Sequence, residues 1–380
     1  MNKIFYFYPH IHLKSTNKEF LAYDTLNTKY VYIKTNLLSQ SDKDSLKMGF
    51  VKVSESLSFV INQCLINELG YLIDYVNILP FMSNRELEFV TSLSKERRAL
   101  GYNLLTYTNS LLRTTTILLN NRYEGYPEEL CLQMEYPKCN NTVIDIDHIL
   151  YQLSSFQCLE RIILSGELTT TSLCKVLEYA KDFKIHVTHR ILFESIDELN
   201  SLEFIAKYNN LSIELLINNS SDISQIRSLS NEHIFVKAIV QSVNDVVKFS
   251  GIDNLMYLPI LSSNNDNTEI LQQMLLSEEE ILHSKKSIKD CRLSDYINPD
   301  IFGHLTINYE GMVSCLGEEI ASIFDFDLSS IVNNWVGSDK CNWYKTRRGK
   351  DTCKDCALQC LCPPISIYEE NSLYKCPCKI

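Results

Sequence analysis

Nine of the chain's 14 cysteines fall in its last 90 residues, and seven of them in the last 40. Five follow the spacing Cys353-x2-Cys356-x5-Cys362-x13-Cys376-x-Cys378, with Cys291, Cys315, Cys341 and Cys360 around them. Thiolates are soft ligands, so this density points to metal binding. Two fillings suit the spacing. One is an iron–sulfur cluster on four thiolates, with Cys353, Cys356 and Cys362 in one loop and Cys376 or Cys378 closing the set. The other is a structural zinc held tetrahedrally by Cys353, Cys356, Cys376 and Cys378. Cys64, Cys158 and Cys174 are scattered along helix or strand faces and read as small buried hydrophobes.

The remaining composition narrows the classes. The 380 residues are enough for two or three domains, and 45% hydrophobic with 22% charged residues is ordinary for a globular chain. A net charge of −11 with no basic stripe argues against nucleic acid as a partner. The opening Met1–His10 carries no apolar region long enough for a signal peptide, and no run reaches the length of a membrane span. The expectation is therefore a cytoplasmic protein, in which clustered cysteines read as metal ligands rather than disulfides. GxSxG, HExxH and P-loop motifs are absent. The eight histidines show no ligand spacing beyond His10-x-His12, which strand alternation puts on one face, and His186-x2-His189. All eight read as solvated or hydrogen-bonded, and Glu278-Glu279-Glu280 as a solvated helix face.

Elements must position these residues. Ile4–Tyr8, Phe20–Tyr23 and Tyr30–Ile33 alternate like strands, with Asp24–Thr28 as a hairpin turn. A helix follows around 57–69, with Ser54 as its N-cap and Gly70 near its end, and a second is expected over 84–99. Strands and helices in about 100 residues make a small α+β module. From residue 113 the pattern becomes strand–helix alternation. Strands are expected at 114–119, 161–164, 185–188, 211–217, 234–240 and 255–260. Amphipathic stretches lie at 144–155, 171–183, 196–208, 222–231 and 243–249. Six βα units suit a partial (β/α)6 barrel, with a doubly wound sheet as the runner-up. No GxGxxG follows any strand. A long helix over Thr268–Ser284 leads to a hairpin at 305–315 turning on Glu310-Gly311, and then to loops that metal would staple.

The run Gly311–Cys315, then Trp335, Arg347-Arg348 and Cys353-x2-Cys356-x5-Cys362-Pro363-Pro364-Ile365-Ser366-Ile367-Tyr368-Glu369, resembles a SPASM domain, the auxiliary-cluster extension of radical SAM peptide-modifying enzymes. The resemblance implies a four-iron cluster on Cys353, Cys356, Cys362 and Cys376 (or Cys378). It departs from the family pattern in two places: Ser366 stands where a fourth cysteine of that run belongs, and the Gly311–Cys315 gap is one residue short. A second site would have to draw on Cys291, Cys315, Cys341 and Cys360. Ser165-Gly166-Glu167-Leu168, after the second expected barrel strand, is similar to the family's GGEP motif, which contacts SAM. The family's CxxxCxxC is missing: after the first strand the chain reads Asn120–Pro127, then Cys131-x7-Cys139. Without those three thiolates no SAM-cleaving cluster of the usual kind can form.

The whole resembles pseudo-radical-SAM proteins of bacterial ribosomal-peptide maturation, of the type seen with double-glycine leader peptides in Bacteroidetes. That implies residues 1–100 as a winged-helix-like α+β module able to capture a leader peptide by adding a strand. It implies 101–285 as a degenerate radical-SAM-like partial barrel and 286–380 as the SPASM-like iron–sulfur domain. The implied role is accessory: binding a precursor peptide, a partner maturation enzyme or both, with a [4Fe–4S] cluster in the tail and no SAM. Two rivals stay open. One is an enzyme using SAM or redox chemistry non-radically near Glu167; the other is a zinc-stapled peptide-binding scaffold.

Overall fold

The structure, a computed structural model, describes residues 3–34, 38–74, 109–120, 133, 135–138, 140, 144–193, 208–218, 221, 226, 233–249, 252, 255–260, 268–370, 376 and 378. The chain forms two compact units. The first joins Met1–Tyr102, Met274–Asp300 and Tyr344–Ile380; the second joins Asn103–Gln273 and Ile301–Trp343. Among the described residues no helix is long and apolar enough to cross a membrane.

In the first unit, β1 (Lys3–Phe7) lies between β5 (Phe50–Lys52) and β6 (Gly70–Asp74). A second antiparallel sheet runs β2 (Ile11–Ser15), β3 (Glu19–Asp24), β4 (Tyr30–Lys34). The hairpin between β3 and β4 forms where expected because the Asp24 carboxylate accepts the backbone N–H groups of Leu26 (2.8 Å) and Asn27 (3.0 Å). The helix Ser58–Ile66 buries Val60, Ile61 and Cys64. Ser54 does not cap it: its hydroxyl pairs with Ser56 at 3.0 Å, and Leu57 holds the cap position without a side-chain bond. Gly70 opens β6, where an added Cβ would come 2.2 Å from the Tyr6 carbonyl oxygen. The long helix expected over 268–284 is two short ones, Thr268–Met274 and Glu278–Leu282. The break is a capping box: the Ser277 hydroxyl accepts the Glu280 N–H (3.1 Å) while the Glu280 carboxylate accepts the Ser277 N–H (2.6 Å).

In the second unit β7 (Thr114–Leu118), β8 (Arg161–Ser165), β9 (His186–Leu192), β10 (Leu211–Ile217), β11 (Ile234–Val240) and β12 (Met256–Pro259) lie parallel and adjacent in chain order. These six strands step the same way across the sheet, and the order reverses only where the chain returns to the far side of β7. On the far side of β7 the sheet adds parallel β13 (His304–Ile307), then antiparallel β14 (Met312–Cys315) and β15 (Glu318–Ser322). The expected hairpin at 305–315 is present, with Gly311 at φ +75°, but it extends the parallel sheet. The helix Thr170–Phe183 is capped by Thr169 and buries Leu173, Val176, Leu177 and Ala180, the three- and four-residue spacing of one face. These side chains join Ile162, Leu164, Val187, Ile213 and Leu215 in one large apolar core. The stretches expected helical over 84–99, 196–208 and 222–231 lie outside the described residues apart from Tyr208 and Ile226.

Candidate functional site: a thiol pocket in the tail

After Tyr344 the tail has little regular structure: short 3-10 turns at Asn342–Tyr344, Arg347–Gly349 and Ala357–Cys360, and one helical turn, Ile367–Glu370. Backbone turns set the cysteines: Cys353 N–H to Lys350 O (2.9 Å), Cys356 N–H to Cys353 O (3.0 Å) and Cys362 N–H to Leu358 O (3.0 Å). Cys378 forms a parallel bridge with Leu276, and its N–H donates to the Cys376 sulfur at 3.4 Å. Cys376 and Cys353 are hydrogen-bonded through their thiols. Cys356 lies within electrostatic range of Cys353 and Cys378, and Cys362 within range of Cys353, Cys356 and Cys378. The five cysteines of the spaced motif therefore lie near one another, linked by the Cys353–Cys376 hydrogen bond and by electrostatic influence.

One cation is built into its wall. The Arg347 guanidinium is buried, forks onto Glu369 at 3.1 and 2.7 Å, donates to the carbonyl oxygens of Pro363 (2.5 Å) and Pro364 (3.0 Å), and reaches the Cys353 sulfur at 3.8 Å. Lys350 adds a 2.7 Å bond to the same carboxylate. The hydrogen bond from Cys376, with Thr352 and Arg347, holds the Cys353 thiol below its ordinary value. Burial pushes Cys356 and Cys362 up to about 12. One thiol is thus readily ionised, and its neighbours need a positive charge to follow. That donor set suits a bound metal or cluster, which supplies such a charge. The sequence offered Arg347 only as part of a motif, and Glu369 without a role; the one signal was an Arg and a Glu flanking a cysteine loop that lacks a core.

The four cysteines grouped as a second site divide between the units. Cys315 and Cys341 belong to the apolar core of the second unit, where Cys315 sulfur donates to His304 O at 3.8 Å. Cys291 and Cys360 are in the first unit, and there they meet His12: the three ligand atoms lie within 4.8 Å of one another. His12 was expected to be solvated or hydrogen-bonded, alongside His10. It is buried on β2, with its ring hydrogen-bonded to the Cys360 thiol and no oxygen or nitrogen partner on Nε2. His10 precedes the strand, stacks on Tyr8 and lies 3.6 Å from Asp24.

In the second unit, Ser165 ends β8 and its buried hydroxyl has no partner. Gly166 has φ +108°, and a Cβ there would come 2.5 Å from the Asn120 carbonyl oxygen and 2.7 Å from Pro137. Glu167 N–H donates to that same Asn120 oxygen at 2.8 Å. The strand end is thus pinned to the end of β7, which is where ligands of parallel sheets bind. Beside it lies a polar network that the strand patterns did not reveal. Arg190 and Lys237 hold Glu214 at 2.5 and 2.6 Å. Glu135 accepts from Thr116 (2.9 Å) and Thr306 (2.5 Å), with His304 at 3.4 Å. Burial works against ionisation of both carboxyls, but Arg190 and Lys237 hold Glu214, and mainly His304 with the Thr306 bond holds Glu135, below the usual range. His189 donates to Gly166 O at 3.0 Å, and burial lowers it to about 4, so it is neutral. Cys131, Cys139 and 121–127, where the SAM-cleaving loop would stand, lie outside the described residues.

No protein-family model matches the chain, and no curated protein matches it. Among solved structures it is similar to Streptococcus suis SuiB (TM-score 0.47, 11% identity, covering 99% of this chain and 100% of that one). The same protein bound to S-adenosylmethionine gives a TM-score of 0.47 at 12% identity over 98% and 97% of the two chains. Bound to its precursor peptide SuiA it gives 0.45 at 12% identity over 98% of each. At these scores the likeness carries no weight beyond itself.

Proposed function

We propose that this chain is an accessory, pseudo-radical-SAM component of ribosomal-peptide maturation, with a partial-barrel second unit and a SPASM-type tail. The tail holds one [4Fe–4S] cluster on Cys353, Cys356, Cys362 and Cys376. The observation that carries the reading is the thiol pocket, in which four thiols of the family spacing converge and a buried Arg347 donates to one of the sulfurs. Its complement is the absence of CxxxCxxC from the entire sequence. When bound, such a cluster supplies electron transfer or structural support. The Cys376 hydrogen bond, with smaller help from Thr352 and Arg347, favours Cys353 as a thiolate, and Arg347 ties Pro363 and Pro364 to Glu369, which fixes the loop around it. Cys376 is favoured over Cys378 because it shares a hydrogen bond with Cys353.

The first unit would bind a leader peptide by strand addition. Among the described residues β6 pairs only with β1, so the backbone groups of its other edge have no strand partner, and its adjacent residues Tyr71 and Leu72 are exposed on opposite faces. Titrating the full, anaerobically purified chain with a double-glycine-leader precursor peptide tests this. Saturable binding weakened in Leu72→Pro, which removes a backbone donor from that free edge because the Tyr71 and Ile73 positions face β1, supports leader capture; binding indifferent to the change removes β6 from it.

A further inference from the structure

We infer that His12, Cys291 and Cys360 form a mononuclear zinc site, separate from the thiol pocket that would hold the cluster. The three residues come from β2, the helix Ile288–Leu293 and the turn Ala357–Cys360, far apart in sequence and all in the first unit. All three are buried, Cys291 and Cys360 completely, and one ligand atom of each lies within 4.8 Å of the other two. Zinc–sulfur bonds of about 2.3 Å and zinc–nitrogen bonds of about 2.0–2.1 Å place tetrahedral ligands about 3.5–3.8 Å apart. Closing onto an ion therefore needs only a small contraction. A four-iron cluster spreads its thiolates over different irons and needs a wider set.

The His12 ring supplies the second, independent observation. Its hydrogen bond is to the Cys360 thiol, which is in turn bonded to Cys291, and its buried Nε2 takes no oxygen or nitrogen partner although Lys14, Arg292 and Asp295 stand close by. Lys14 and Asp295 are occupied with each other at 2.7 Å. A buried imidazole nitrogen beside two thiols, passed over by the nearby polar groups, has the donor arrangement of a Cys2His zinc site. His12 also lines a cleft of 450 Å³, which gives a water access to the fourth position. Cys291 is held for this by the capping box of Ser287 and Asp290, which fixes the start of its short helix.

This site is independent of the cluster reading, and the test separates the two. Zinc, iron and acid-labile sulfide are measured on the full chain purified without oxygen, alongside Cys360→Ser, His12→Ala and Cys356→Ser. The expected result is about one zinc in addition to about four irons. Zinc falls at least five-fold in Cys360→Ser and His12→Ala with iron unchanged, and iron falls in Cys356→Ser with zinc unchanged. Wild-type chain alone gives a second readout that needs no variant to fold: Cys291 and Cys360 resist alkylation as purified and react after a zinc chelator. Zinc absent from wild type, zinc lost only together with the iron, or the two thiols joined as a disulfide in protein purified under reducing conditions, overturns the site. Zinc retained where iron is missing leaves this site standing and sinks the cluster instead.

Discussion

The two units are stabilised by different means. In the second, the sheet from β7 to β15 has a large core through Ile117, Leu164, Val187, Ile213, Leu215 and Trp343, and a smaller apolar cluster of Tyr136, Leu192, Leu216, Ile239 and Ile260. Trp343 is fully buried, packs edge-on to Trp335 at 5.1 Å and donates its indole N–H to His304 O at 2.9 Å. Nothing in that arrangement calls for a metal. In the first unit the N-terminal sheets have an apolar core of their own through Phe5, Phe20, Leu46 and Val60, while the tail buries cysteines, Gln359, Arg347 and Glu369 beside Leu358 and Leu361, set in turns rather than a sheet. In the tail, thiols and a buried ion pair supplement an apolar cluster much smaller than the core of the other unit. The difference teaches that metal loss should be a local event, felt in the tail while the parallel sheet persists.

The sharpest way to break that comparison is to remove a ligand. In Cys353→Ser or Cys356→Ser, cluster iron and its visible absorbance should fall from about four irons to near zero. Limited proteolysis should then cut within 344–370 first, leaving the fragment that carries β7–β12 intact. Equal loss of both units would mean that their stabilities are not separable.

Next comes Arg347→Ala, which leaves the Glu369 carboxylate buried with Lys350 as its remaining cation. Breaking a buried pair in this way costs about 3–5 kcal/mol, read as a lowered urea midpoint. Arg347→Lys should restore only part of it, because an ammonium cannot fork onto Glu369 and both proline carbonyls at once. A smaller effect is expected from Gly166→Ala, which forces a side chain into φ +108° against the Asn120 carbonyl. The destabilisation should exceed about 1 kcal/mol, and it should appear in the second unit while the tail keeps its metal. Should SAM bind at this strand end, the same variant should weaken binding in a calorimetric titration; wild-type chain with no measurable affinity would remove SAM from the account.

How far these features could be read from the sequence depended on locality. Strands such as Leu211–Ile217 are continuous apolar runs, the mark of a strand buried on both sides, and the turn at Glu310-Gly311 announces its hairpin. Cysteine spacing is equally local. Partner choice is not. Glu214 and Lys237 sit singly inside strands read as apolar, Arg190 lies past the expected end at 188 of a strand that runs to Leu192, and only the parallel register of β9, β10 and β11 brings the three together. His12 paired with His10 by alternation, yet β2 begins at Ile11 and leaves His10 outside it. Ser277 was hidden inside an apparently continuous helix, because a capping box is a two-residue signal that amphipathic periodicity does not register.

The smallest predicted effect is on pH dependence. Glu214 titrates below its usual value in the folded chain because Arg190 and Lys237 outweigh its burial. A depressed carboxyl contributes stability that is present above the unfolded value near pH 4.3 and disappears as pH falls through the folded one. Stability of the second unit should therefore drop on the acid side of about pH 4.3. Glu214→Gln should flatten that limb in part only, since Glu135 is shifted the same way.

The central claim is that the tail is organised by a four-iron cluster on its thiol pocket. Iron and acid-labile sulfide, counted per chain on protein purified without oxygen and compared with Cys356→Ser, test it most directly. About four irons and four sulfides in wild type, lost in the variant, are what the account predicts. Zinc in the thiol pocket with no sulfide, removed by the same substitution, would contradict it and make the tail a zinc-stapled scaffold.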